Sequence, residues 1–235
     1  MATATEPAGE LEIDIRDLDA RLAMPLVEAL STQRAIRRLL PDPVPDDVVL
    51  KCIELATKAP TGSNKQEWEF VVVRDAEVKH QLARLNRQAL AVGRRVEAKK
   101  HRTDPAARRN LAAVRWQADH FEEVPVVVVI CLHGRSPLFG PPILASSWYG
   151  SAYPAAQNLL LAARAVGLGA ALTTMPVWSV AMARRTLGLP RTITPVAAVP
   201  LGWPRGRYGP TTRRPVGEVV HLDRFGNQPF RDRTH

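Results

Sequence analysis

Cysteine is nearly absent from this sequence: Cys52 and Cys131 are the two in 235 residues, far apart and each inside an apolar segment. Two such residues cannot build a disulfide framework or a four-ligand zinc site, so a reducing, cytoplasmic setting is the expectation. Long apolar runs are missing as well. No window approaches the roughly 18 uninterrupted apolar residues of a membrane-spanning helix, and the stretch Met1 to Asp19 is acidic where a secretion signal is basic and then apolar. Neither membrane insertion nor secretion is expected. The sequence also lacks a G-x-x-x-x-G-K-[ST] loop, a G-x-S-x-G elbow, an H-E-x-x-H pair and a C-x-x-C pair. Its six histidines, His80, His101, His120, His133, His221 and His235, are singletons in polar or loop contexts and read as surface residues. Lysine is scarce, with six among 32 basic residues, so the net charge of +9 is carried by arginines. These are scattered, with one dense stretch from Arg94 to Arg109, and no nucleic-acid motif accompanies them. A phosphate-neutralising surface needs its cations on one face, so no nucleic-acid partner is expected. A solvated helix face, or attraction of small anions, accounts for the surplus.

What is present suits one α+β domain, with 46% apolar and 23% charged positions and no repeat or internal linker. Residues 1–22 read as a loosely ordered arm, 23–220 as the folded domain and 221–235 as a C-terminal extension. The apolar spacing predicts a helix over Met24–Leu40, stopped by Pro41, Pro43 and Pro45, and a second helix from Asp46 as N-cap to Ala59. Glu67–Arg74 reads as a largely buried strand, 76–102 and 105–122 as arginine-rich surface helices, and Val124–Leu132 as a second buried strand. A helix over Trp148–Val166 is closed by Gly167, which supplies the left-handed residue a helix end favours. Strands over Leu168–Thr174 and Thr194–Gly202 flank a helix over Val177–Leu187.

Three constellations carry chemistry. In Thr32-Gln-Arg-Ala-Ile-Arg-Arg38, Arg34 and Arg37 or Arg38 fall one helical turn apart. This is either a phosphate clamp or a solvated helix end whose cations favour the helix dipole. The turn Pro60-Thr-Gly-Ser-Asn64 presents amides and hydroxyls before a strand, which suits either a polar ligand or a plain helix stop. The third is Val166-Gly-Leu-Gly-Ala-Ala-Leu-Thr-Thr-Met175, with Pro200-Leu-Gly-Trp-Pro204 and Thr211-Thr-Arg-Arg-Pro215 downstream. Gly167-x-Gly169 follows a helix instead of opening one, the wrong context for dinucleotide binding, and reads as helix termination plus a close backbone approach.

In this order the pieces resemble the FMN-dependent nitroreductase family over roughly residues 25–220, most specifically at Pro60–Trp68 and Gln157–Gly169. The resemblance implies an α+β fold with a central mixed sheet flanked by helices, in an intertwined homodimer with FMN at the subunit interface. It implies that Arg34 and Arg37 hold the flavin phosphate, with Ala35 where relatives often carry serine and Arg38 in reserve, because Gln33 replaces a basic residue. Thr61, Gly62, Ser63 and Asn64 would reach the flavin from the partner subunit, with Trp68 as core beneath them. Leu172, Thr173 and Thr174 would lie against the isoalloxazine, a backbone N–H facing N5. In some relatives this strand end carries a glutamate and a glycine. Arg213, or Arg214, would return to the phosphate. The implied activity is hydride transfer from NADPH or NADH to flavin and then to a nitroaromatic or quinone-like acceptor, by a ping-pong cycle with no catalytic side chain. Arg94, Arg95, Lys99 and Arg102 would favour the 2′-phosphate of NADPH. The alternatives are a flavin-sequestering protein without catalysis, or a family member that consumes flavin, dehalogenates an aromatic or oxidises a heterocycle.

Overall fold

Four strands, β1 (Trp68–Val73), β2 (Val126–His133), β3 (Gly169–Ala170) and β4 (Ile193–Gly202), form one sheet in the order β1-β2-β4-β3 in the computed structural model, which describes residues 15–97, 105–135 and 141–232. Among the described residues seven α-helices surround the sheet: α1 (Ile15–Leu22), α2 (Leu26–Thr32), α3 (Asp46–Ala56), α4 (Ala76–Glu97), α5 (Pro105–Asp119), α6 (Pro142–Ala165) and α7 (Val180–Leu187). Every pairing is antiparallel among the described residues, where a mixed sheet was expected. The strands are nevertheless not joined as hairpins, since α4 and α5 lie between β1 and β2.

The apolar run of β2 is explained by burial on both faces. Val126, Val128, Ile130 and Leu132 pack with Val48, Val49 and Cys52 of α3 and with Ala155, Leu159 and Ala163 of α6. Val127, Val129 and Cys131 pack on the opposite face with Leu82 and Leu85 of α4 and Ala183 of α7. A strand covered twice needs no polar alternation. β1, expected to be largely buried, is instead an edge strand in which only Val73 is fully buried. α1 rises from the polar opening segment and buries Leu18 in the α3/α6 layer. Asp46 opens α3 as its first residue, and Pro45 occupies the N-cap.

The expected helix over Met24–Leu40 stops at Thr32. Gln33 turns extended at φ −66° and ψ 120°, and the chain beyond it bonds across to other elements. Ile36 N–H donates to Ala170 O at 2.9 Å, and Leu40 N–H donates to Trp203 O at 2.8 Å. These tertiary bonds replace the i to i−4 ladder that the apolar spacing suggested.

Two glycines make the crossing possible. Gly167, at φ +89°, ends α6 while Leu168 N–H reaches back to Ala163 O at 2.8 Å, the six-to-one bond of a Schellman closure. A Cβ on Gly169 would stand 2.6 Å from Leu39 Cδ2 and 2.8 Å from Ile36 Cγ2. The pair therefore terminates a helix, as the sequence indicates, and the close approach at Gly169 is made by the Ile36 and Leu39 side chains instead of by backbone.

Candidate functional site

The segment 33–40 runs along the outer edge of β3 and carries Arg34, Arg37 and Arg38 on extended backbone, not on a helix face. Strand alternation defines what this edge offers. Thr173 exchanges both backbone bonds with Ala198 of β4, at 2.9 and 2.8 Å, and its hydroxyl accepts from Met175 N–H at 3.3 Å. Thr173 N–H therefore faces the sheet and is not the amide that could meet a flavin N5. Neighbouring residues turn their backbone groups the other way. Ala170 O is met there by Ile36, while the amides of Leu172 and Thr174 have no acceptor among the described residues. On the inner side Pro200 of β4, which carries no N–H, interrupts the ladder between Ala170 and Thr173. Two donors thus lie on one open edge, at the end of a strand fixed by a rigid sheet.

The arginines meet different partners. Arg37 donates to Asn110 Oδ1 of α5 at 3.1 Å, and burial lowers the pKa of its guanidinium from the ordinary arginine value. Arg38 lies over the Trp116 ring at 5.9 Å, shared with Arg205 at 5.8 Å. It is thus turned to α5. Arg34 is exposed and forms no ion pair among the described residues. The C-terminal tail comes to this strip. Arg205 N–H donates to Arg38 O at 3.0 Å, a Cβ on Gly209 would stand 3.7 Å from Arg34 Nη1, and Thr211 N–H donates to Ser31 O at 2.8 Å. Arg213, two residues on, is exposed, with Nη1 on Thr212 O at 2.9 Å. Ala35 and Arg214 are exposed too.

The turn Thr61–Asn64 stands elsewhere. Gly62 N–H donates to Ser151 Oγ at 3.2 Å, and Trp68 Nε1–H donates to Ser151 O at 2.7 Å, which pins the turn to the first half of α6. Trp68 is half-buried against the α3/α6 layer, as its placement beneath the turn implies. Ser151 precedes the end of α6 by about 20 Å at 1.5 Å per residue, and the Arg34 segment sits at that end. One chain therefore assembles Arg34, Leu172, Thr174 and the Arg213 region, and holds Thr61–Asn64 apart from them. In the turn, Ser63, Asn64 and Gln66 have φ of +54°, +53° and +55°, a left-handed backbone that is costly for side-chain-bearing residues.

The side chains of Arg94, Arg95, Lys99 and Arg102 lie outside the described residues. No group of His, Cys, Asp or Glu that could hold a metal occurs among the described residues, and none of their helices is long and apolar enough to cross a membrane. Sequence reasoning missed Asn110, Arg164 and Tyr208. The tail is without periodicity, and no local signal marks which backbone it follows.

The family model of the nitroreductase family matches residues 30–203. This chain belongs to the nitroreductase family. The chain is 28% identical over 239 residues to a protein named NADH dehydrogenase from Thermus thermophilus, covering 89% of this chain and 98% of that one. It is 29% identical over 198 residues to iodotyrosine deiodinase 1 of Rattus norvegicus, covering 80% of this chain and 65% of that protein. A crystal structure of oxidized iodotyrosine deiodinase bound to FMN and 3-iodo-L-tyrosine shares the fold with a TM-score of 0.65. Its identity is 21%, over 86% of this chain and 100% of that one.

Proposed function

We propose that this nitroreductase-family protein is an FMN-dependent oxidoreductase that takes hydride from NADPH or NADH and passes electrons to nitroaromatic or quinone-like acceptors by a ping-pong cycle. One observation carries the reading: the amides of Leu172 and Thr174, which have no acceptor among the described residues, and Arg34, which has no ion pair among them, lie along one edge, which matches a polar ring with a phosphate tail. When bound, FMN supplies the hydride-accepting and hydride-donating chemistry at N5.

The chain's own part is binding and electrostatics. Leu172 and Thr174 are the candidates to direct N–H groups at the ring's nitrogen and carbonyl edge. Donors fixed on a sheet favour negative charge without reorganising. Arg37, braced by Asn110, adds a positive charge beside the same edge. Arg34 and Arg213 would hold the phosphate, guanidinium forks matching its oxygens bidentately. No acid, base or nucleophile is required of a side chain, in keeping with a nicotinamide nucleotide and a flat aromatic acceptor that alternate at one ring face.

A homodimer completes this reading. Thr61–Asn64 sits too far along α6 to reach the Arg34 edge of its own chain, so a second copy would supply it. The apolar surfaces available for such pairing include Leu26, Val27 and Leu30 on α2 and Phe225 in the tail, the last 93% exposed. We place the protein in the cytoplasm, in keeping with its two buried, unpaired cysteines.

A second reading, reductive dehalogenation of an aromatic, draws on the named deiodinase relatives. One experiment tests both. The purified protein should carry flavin absorbance that bleaches on anaerobic NADPH addition and returns with a quinone or nitroaromatic. Iodide release from an iodophenol under reducing conditions would select the second reading, and a colourless protein that takes up no FMN would refute both.

A further inference from the structure

We propose that Arg164 is a positioning residue for phosphate recognition: it fixes the C-terminal tail against the Arg34 segment and so sets how strongly the protein prefers a phosphorylated flavin to the unphosphorylated one. The proposal rests on the FMN reading above.

Arg164 sits in the last turn of α6 with its side chain only 12% exposed. It meets three side chains, two on α2 and one in the tail. Its Nε–H donates to Thr32 Oγ1 at 2.8 Å, its Nη2 lies 3.5 Å from Glu28 Oε1, and its Cζ stacks 4.1 Å from the centroid of the Tyr208 ring. The Tyr208 hydroxyl in turn donates to Leu168 O, in the turn that ends α6. A guanidinium can stack through its face while donating from its edge, which an ammonium cannot reproduce. Arg164 therefore joins α2, α6 and the tail through one nearly buried plane.

The tail is pinned again just beyond. Thr211 N–H and Oγ1–H both donate to Ser31 O, at 2.8 and 3.1 Å. Residues 208–211 are thus fixed at both ends along the strip Ser31–Arg34, and Arg213 emerges next to it. Ordering a free chain segment costs backbone conformational entropy at every residue it fixes. A tail already held in place spares a ligand that cost, so the phosphate meets an arginine pair prepared in advance. Arg164 itself faces Thr32, Glu28 and Tyr208, which places its effect in the alignment of other groups.

The test compares FMN with riboflavin, which differ by the phosphate alone. Affinities of the flavin-stripped full chain for both are read by fluorescence quenching. Arg164→Ala should lower FMN affinity roughly tenfold or more, with riboflavin affinity changed by less than about threefold. Arg164→Lys should not rescue it. Arg213→Ala should reproduce the loss, and the double variant should bind no worse than Arg213→Ala alone, since one residue acts through the other. A folded Arg164→Ala with the unaltered FMN-to-riboflavin ratio, or additive losses in the double variant, would overturn the proposal. If Arg164→Ala does not fold, Thr211→Ala, which releases the other end of the same span, must show the same selective loss or the proposal fails. An unmutated chain that binds neither flavin would instead overturn the FMN reading itself.

Discussion

The two ends of α6 hold the two halves of the candidate site by opposite means. At its C-terminal end the Ile36 and Leu39 side chains press so close on β3 that a methyl group on Gly169 would overlap them, and backbone bonds from Ile36 and Leu40 fix the register. Along its N-terminal half, the turn after Thr61 is exposed and holds three side-chain-bearing residues at positive φ. Its own cross-link is Gln66 N–H to Thr61 Oγ1 at 3.1 Å, with Gly62 tethered to Ser151. One half is positioned by packing, where glycine is obligatory. The other is positioned by local hydrogen bonds against backbone strain, with side-chain-bearing residues at its positive-φ positions. Stability and ligand geometry should therefore respond differently at each end.

The sharpest way to break the packed half is Gly169→Ala. The new methyl would overlap Leu39 and Ile36, and overpacking of this kind costs about 1–3 kcal/mol. Chemical denaturation should show a fall within that range, together with weakened flavin uptake as the 34–39 segment is displaced. Stability equal to that of the unmutated chain would show that the segment is not held by close approach. Arg34→Ala acts on the same half without touching its packing. Because Arg34 is exposed, stability should change by less than about 0.5 kcal/mol. FMN affinity should fall roughly tenfold or more, and riboflavin affinity should stay near its starting value. Equal losses for both flavins would move the phosphate away from this residue.

How much of this was legible in the sequence follows the same division. The turn Pro60–Asn64 is a local structure, and its residues announce it. The apolar blocks of β2 and β4 and the glycine that closes α6 are equally local in origin. The path of Arg34–Arg38 is not. Its spacing satisfies a helix, and only the acceptors at Ala170 O and Trp203 O, some 130 or more residues away, draw it into extended form. In sequence nothing sets Arg164 apart from any cation in a last helical turn, or Tyr208 from the aperiodic residues around it. Their contact depends on the tail folding back over α2. The antiparallel sheet was hidden for a related reason, since long helical insertions separate β1 from β2 and the sequence does not reveal direction across them. Arg34, Leu172, Thr173 and Thr174 come from the family resemblance, and the fold separates Thr173, whose amide is spent on Ala198, from its neighbours.

A change of pH reaches the packed half through Tyr208. Burial, opposed in part by the Arg164 guanidinium, pushes its phenol up to about 12 from an ordinary 10.0. The folded state therefore keeps its proton after the unfolded chain has lost it. That contribution to stability is complete below pH 10.0 and disappears as pH rises toward about 12. Tyr208→Phe removes the ionisation while keeping the ring beneath Arg164, so its stability should decline less steeply across that window in denaturation series. An unchanged slope would mean that the phenol is not buried at this junction.

The smallest expected effect comes from the strained turn and runs in the opposite direction to Gly169→Ala. Ser63 stands at φ +54°, where a side chain costs energy and glycine does not. Ser63→Gly relieves that cost but also frees the unfolded chain, so the net gain should be a few tenths of a kcal/mol, up to about 1. Thermal unfolding resolves a change of this size as a shift of a few degrees at most. A loss of stability would mean that the Ser63 side chain makes a contribution exceeding its backbone strain, and the contrast between the two ends of α6 would then rest on packing alone. A gain accompanied by weaker FMN binding would show that the strain at this turn serves the ligand, since a glycine there would let amides and hydroxyls drift from the geometry that Ser63 and Asn64 impose.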